Sequence, residues 1–70
     1  MKKLQKTKIN GLVYLLSEPI RMIELLQYLG FNPDVITIDY NGEILIQKKW
    51  NIQYVKNNDI LEILSIAGGG

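Results

Sequence analysis

Apolar positions along the chain follow two different periods. Met22, Leu25, Leu26 and Leu29 have the i, i+3, i+4, i+7 spacing of one helix face, with Arg21, Glu24 and Gln27 on the opposite side. Gly30 supplies the left-handed position that closes such a helix, Phe31 follows to cover its last turn, and Pro33 prevents continuation. Elsewhere the apolar pattern is that of extended chain. Residues 4–9 read as a strand in which lysines alternate loosely with other residues, and Leu12-Val13-Tyr14-Leu15-Leu16 reads as its return. Between them lies Asn10-Gly11, a pair that tolerates the positive φ angles of a tight hairpin turn. Ser17, Glu18 and Pro19 end the second strand.

Residues 35–40 alternate again, with Ile36, Ile38 and Tyr40 on one face and Thr37 and Asp39 on the other. Asn41-Gly42 is a second hairpin signal, leading into a short strand at Ile44-Leu45-Ile46 and then a less regular stretch from Trp50 to Lys56. Asn57-Asn58-Asp59 is turn chemistry, and residues 60–66 form a last strand. The order strand, strand, helix, strand, strand, strand leaves one helix to cover a sheet. This predicts an α+β fold of the β-grasp (ubiquitin-like) kind, a mixed sheet of four to five strands with one main helix packed on one face. Residues 1–66 make this single domain, and residues 67–70 form a glycine tail.

In the last strand Leu61 and Ile63 share one face while Ile60, Glu62, Leu64 and Ile66 share the other. The charge on Glu62 marks the second face as the wet one. Leu64 and Ile66 are then exposed apolar groups beside the tail, a pattern expected of a partner-docking patch.

Composition narrows the chemistry. The 70 residues contain no cysteine and no histidine, so disulfides, thiol nucleophiles and the commonest metal ligand are excluded, and no metal site is expected. A domain of this size buries only about 60% of its unfolded surface, which leaves no room for a deep cleft. Asp34, Asp39, Glu43, Asp59 and Glu62 form no pattern assigning paired acid and base roles, and each reads as a turn former or a solvated strand residue. No catalytic residue is assigned, and the chain is not expected to be an enzyme. Trp50 reads as a packing residue, and Tyr14, Tyr28, Tyr40 and Tyr54 carry no pattern beyond packing.

Eight basic and seven acidic residues give a formal charge of +1, which argues against nucleic acid as a partner. Lys2, Lys3, Lys6 and Lys8 form the one local bias and read as a solvated edge. No apolar run reaches the roughly 20 residues that span a bilayer, and the N-terminal stretch lacks an apolar secretory segment. No membrane partner is expected, and the expected compartment is cytoplasmic, or the plastid stroma if the chain is organelle-encoded.

Ala67-Gly68-Gly69-Gly70 leaves the last strand. Without side chains such a tail passes through a narrow channel, and four extended residues reach on the order of 13 Å. A thin tail on a compact domain that lacks catalytic side chains is what a carrier modified at its own carboxylate requires.

Over nearly its whole length the chain resembles the ThiS sulfur-carrier family. Asn10-Gly11 resembles the family's first turn, Leu25-Leu26 with Leu29-Gly30 its helix and helix end, and Asn41-Gly42-Glu43-Ile44 its central hairpin. Trp50 falls where the family often has tryptophan, Asp59 with Glu62-Ile63 resembles the lead into its last strand, and the Gly-Gly terminus completes the match. Asn58 stands where glycine is usual, and Arg21 and Met22 replace the usual threonine and valine, which leaves the helix N-cap unassigned.

The resemblance implies that an adenylating partner of the ThiF kind uses ATP to activate the Gly70 carboxylate. Sulfur drawn from a cysteine desulfurase relay then yields a thiocarboxylate, which thiazole synthase consumes in thiamin biosynthesis. Gly68 and Gly69 are the tail-recognition positions, and the carrier itself binds no cofactor. The rival resemblance is the small subunit of molybdopterin synthase, whose last strand usually ends in a proline-containing stretch that Ile63-Leu64-Ser65-Ile66-Ala67 lacks. Another ubiquitin-like modifier using the same tail would instead form an amide with lysine.

Overall fold

The computed structural model describes residues 3–66. Lys2 and the tail residues Ala67, Gly68, Gly69 and Gly70 lie outside the described residues, and with them the tail boundary and the roles expected of Gly68, Gly69 and Gly70.

Both Asn-Gly pairs make the turns their chemistry favours, with φ of 50° and 83° at Asn10 and Gly11 and 51° and 93° at Asn41 and Gly42. The first joins strands β1 (Gln5–Ile9) and β2 (Leu12–Leu16). A two-residue strand β3 (Ile20–Arg21) then leads into helix α1 (Met22–Leu29). A 3-10 turn at Pro33–Val35 precedes β4 (Ile36–Tyr40), and the second Asn-Gly turn connects it to β5 (Glu43–Ile44). A further 3-10 turn at Gln47–Lys49, strand β6 (Tyr54–Val55) and strand β7 (Ile60–Ser65) complete the described chain.

Five of these strands form one mixed sheet in the order β2-β1-β7-β4-β5. β1 and β7 run parallel, while the other neighbours are antiparallel. With α1 covering one face, this is the β-grasp fold. The core joins Ile9, Ile36, Ile38, Leu61 and Ile63 of the sheet to Met22, Leu25 and Leu26 of the helix, with Trp50 and Val55 from the later segments. Trp50 donates its indole N–H to the Leu45 carbonyl at 2.9 Å, so its polar handle is satisfied inside.

The helix ends differ in how they are capped. At the C-terminus Gly30 takes φ 82°, and the N–H groups of Gly30 and Phe31 bond the carbonyls of Gln27 and Leu26, closing the last turn as a Schellman motif. At the N-terminus no side chain caps. The N–H groups of Met22 and Ile23 instead bond the carbonyls of Gln53 and Trp50 at 2.8 and 3.0 Å, so a later loop satisfies donors that a threonine would otherwise serve. Asn58, at φ 71°, accommodates the position where glycine is usual.

Three expectations are corrected. β1 is an interior strand, so Lys6 and Lys8 decorate a sheet face rather than protect an edge. The strand after Asn41-Gly42 ends at Ile44: one further bond follows, from the Leu45 N–H to the Ile38 carbonyl at 2.9 Å, and the chain then enters a 3-10 turn at Gln47–Lys49. The irregular stretch before Lys56 contains β6, which pairs with β3 as a small second sheet.

Candidate functional site

β7 is the central strand of the sheet, and the tail continues from it, so whatever fixes β7 fixes the origin of the tail. β7 runs antiparallel to β4 over five residue pairs, from Ile36 opposite Ser65 to Tyr40 opposite Leu61. On its other side β1 pairs with it only at Lys8 and Ile9, since β1 ends there in a turn. The Asn10 side chain takes over. Its Oδ1 accepts from the Ile63 N–H at 2.6 Å and its Nδ2 donates to the Ile63 carbonyl at 3.1 Å, so one amide stands in for a strand. Beyond the ladder, the Ile66 N–H donates to the Val35 carbonyl at 2.7 Å, tying the chain down one residue before the tail.

The start of β7 is held by a buried carboxylate. Asp59 is only 5% exposed and accepts from the Tyr40 hydroxyl at 2.6 Å, the Asn41 amide at 3.1 Å and the Lys56 backbone N–H at 2.8 Å. The Lys56 ammonium lies 3.7 Å from Asp59 and donates to the Tyr40 hydroxyl at 3.1 Å. Burial alone pushes the Asp59 carboxyl upward, but hydrogen bonds from Tyr40, Asn41 and the Lys56 backbone, with the Lys56 charge, outweigh it and hold the group below its ordinary value. Burial, with the hydrogen bond to Asp59, raises the Tyr40 phenol. Lys56 is raised by its bond to the Tyr40 hydroxyl and by the Asp59 charge. Asn41 closes the cluster by accepting from the Ile60 N–H at 2.7 Å. Asp59 is therefore neither solvated nor only a turn former, and Tyr40 does more than pack.

Along β7, Leu61 and Ile63 are buried while Ile60, Glu62, Leu64 and Ile66 are exposed. Leu64 and Ile66 thus stand on the open side of the sheet at the root of the tail, each 52% exposed. Among the described residues no group of three or more His, Cys, Asp or Glu is placed to hold a metal ion.

The arrangement is a compact domain whose last described strand is fixed by β4, by the Asn10 amide and, at its start, by the Asp59 cluster. A family model described as the ThiS family matches residues 5–70. A protein named ycf40 from Trieres chinensis is 39% identical over 62 residues, which covers 89% of this chain and 85% of that protein. The ycf40 protein of Porphyra purpurea is 38% identical over 63 residues, covering 90% and 89%. Among solved structures, the crystal structure of thiamine biosynthesis protein ThiS from Geobacter metallireducens matches with a TM-score of 0.83 at 29% identity, over 94% of this chain and 100% of that one.

Proposed function

The chain belongs to the ThiS family, and from that premise we propose that it carries sulfur on the carboxylate of Gly70 for thiazole formation in thiamin biosynthesis. The observation that carries this reading is the extent of the family match, which runs through the glycine tail to residue 70 as well as through the domain.

In this reading a ThiF-like adenylating enzyme binds the domain, and the tail enters its active site. A carboxylate oxygen of Gly70 attacks the α-phosphorus of ATP and pyrophosphate leaves, giving an acyl-adenylate. A carboxylate resists nucleophiles, whereas the mixed anhydride has AMP as a leaving group. The terminal sulfur of a persulfide on the cysteine desulfurase relay attacks the acyl carbon and AMP departs, and a thiol then cleaves the resulting acyl disulfide, leaving a thiocarboxylate on Gly70 and a disulfide between the relay cysteine and that thiol. Thiazole synthase then takes that sulfur. The chain is a co-substrate of its partners rather than a catalyst.

Gly68 and Gly69 are the positions that let the tail pass a narrow channel, since a Cβ at either would widen the chain and restrict its backbone. Leu64 and Ile66 provide the docking patch, placed so that a partner gripping them holds the origin of the tail. No helix among the described residues is long and apolar enough to cross a membrane. The proposed compartment is the cytoplasm, or the plastid stroma for an organelle-encoded chain.

The test is sulfur transfer in a reconstituted system of adenylating enzyme, ATP, cysteine, desulfurase and thiazole synthase. A chain lacking Gly70 is expected to fold normally and transfer no sulfur, and undiminished transfer by that variant contradicts the reading.

A further inference from the structure

β2 is an open edge of the sheet, and it carries none of the features that keep such an edge unpaired. Soluble proteins blunt an exposed edge with lysine, proline, a bulge or a very short strand. Leu12-Val13-Tyr14-Leu15-Leu16 has no charged residue and no proline, and its five residues pair with β1 in unbroken register. The opposite edge is the two-residue β5, which contains Glu43.

The bonding directions along β1 show which backbone groups of β2 are open. Lys8 and Asn10 donate their N–H groups to the carbonyls of Asp59 and Leu61, and the Lys6 carbonyl accepts from Asn58, so these three residues bond towards the β7 side. Gln5, Thr7 and Ile9 therefore bond towards β2, where they lie opposite Leu16, Tyr14 and Leu12. The N–H and C=O groups of Val13 and Leu15 point the other way, off the edge. Among the described residues no backbone bond from a turn or loop reaches them. What such a row of groups fits is a second extended chain.

β2 is itself such a chain. In an antiparallel pair centred on Tyr14, a two-fold axis perpendicular to the sheet sets Val13 of each copy opposite Leu15 of the other, and these are the residues whose groups point off the edge. Both residues of each such pair exchange N–H and C=O, while Tyr14 meets its own counterpart in the non-bonded pair between them. Leu12 of one copy lies opposite Leu16 of the other, so every pair along the seam is apolar or aromatic.

The side chains on the α1 face support the same occupant. Tyr14 and Leu16 pack against the core of their own domain, whereas Leu12 is 63% exposed. Between the end of β2 and α1 lies a groove of about 430 Å³, lined by the apolar Leu16, Ile20, Leu25 and Tyr28 and the acidic Glu18 and Glu24. The register that satisfies the backbone sets Leu12 of one copy beside Leu16, at this groove, in the other. Symmetry makes the contact twice. We propose that β2 pairs antiparallel with β2 of a second copy of the chain, merging the two five-stranded sheets, with Leu12 of each copy seated against the β2–α1 groove of the other.

The pairing closes on itself. The merged sheet ends on both sides in β5, whose two residues offer little to a further strand, so growth stops at two copies. A seam of five residues, about 17 Å long, covers less than the roughly 800 Å² per partner of a standard stable interface, and the dimer is therefore a weak, exchanging one. The two β7 strands lie about 24 Å apart, five strand spacings, and run in opposite directions. Leu64 and Ile66 stay uncovered, so the pairing stands independently of the sulfur-carrier reading.

Sedimentation velocity on the full chain tests this, from about 10 µM to about 1 mM, the range over which weak dimers form. A dimer that grows with concentration is expected, and about 1 M NaCl should not weaken it, because no ion pair holds the seam. Val13→Pro removes an N–H that points off the edge and leaves the β1 ladder intact, while Leu12→Asp carries a charge to the apolar groove. Each variant, checked for folding by circular dichroism, should weaken association at least about tenfold, and Ile44→Asp on the opposite edge should leave it unchanged. The chain has no cysteine, so Tyr14→Cys reports the register by itself. Self-opposed residues of a non-bonded pair stand about 4.5 Å apart at Cα, within disulfide reach, and under mild oxidation this variant should cross-link much faster than Ile44→Cys. A chain that stays monomeric at about 1 mM overturns the proposal and leaves the edge to a strand of another protein. So does a dimer that survives both Val13→Pro and Leu12→Asp, one that is lost in Ile44→Asp, or a Tyr14→Cys variant that cross-links no faster than Ile44→Cys.

Discussion

The side-chain amide of Asn10 bonds both backbone groups of Ile63, accepting from its N–H at 2.6 Å and donating to its carbonyl at 3.1 Å. A turn residue thereby completes the central strand on the side where β1 has already ended. Replacing Asn10 with Gly keeps the positive φ accessible but removes both bonds, and is expected to cost about 1–3 kcal/mol. Asn10→Ala should cost more, since alanine also resists φ 50°. Urea unfolding of the two variants measures both effects.

Asp59 predicts how stability depends on acid. Its folded-state value lies below its unfolded one, so its contribution is fully present above the unfolded carboxylate's pKa of about 3.9 and is lost as pH falls through the lower folded value. Asp59→Asn should destabilise the protein near neutral pH by about 1–3 kcal/mol, because several donors lose a charged acceptor. The gap between wild type and variant should narrow as pH drops below about 4. Thermal melts from neutral to acidic pH follow it, and a gap that widens in acid contradicts the assignment.

Leu64→Lys separates docking from burial. The side chain is exposed, so the variant should fold with a melting temperature near that of wild type. Pull-down with the adenylating enzyme and with thiazole synthase should show weakened binding to both. Unchanged binding by the folded variant removes Leu64 from the docking patch.

Much of the fold was legible because its signals are local. Two Asn-Gly pairs, the apolar spacing of Met22 to Leu29 and the glycine that ends it lie within a few residues of what they control. β3 and β6 were hidden because a two-residue strand has no measurable alternation. The Asp59 cluster was hidden for another reason: Tyr40 and Asp59 are 19 residues apart and meet only when β4 pairs with β7. The one available hint was that Tyr40 shares a face with Ile36 and Ile38, so its hydroxyl needed a buried partner. Nothing near Asn10 announced a partner 53 residues away. The alternation along β7 did indicate which face Leu64 and Ile66 occupy.

The tail is expected to tolerate no added bulk. Gly69→Ala should leave the melting temperature unchanged and slow adenylation, because the methyl group obstructs the channel and restricts the backbone. Pyrophosphate release by the adenylating enzyme reports the rate. Normal kinetics with alanine, and then with a larger residue at position 69, show that no narrow channel exists.

The most direct measurement is the mass of the C-terminal peptide after the chain is incubated with an adenylating enzyme of the ThiF kind, ATP and a desulfurase with cysteine. The account predicts a gain corresponding to one oxygen exchanged for sulfur, located by fragmentation at Gly70, dependent on ATP and reversed when thiazole synthase and its substrates are added. An unmodified Gly70 under conditions that charge a known ThiS protein, or a tail joined to lysine through an amide, contradicts it.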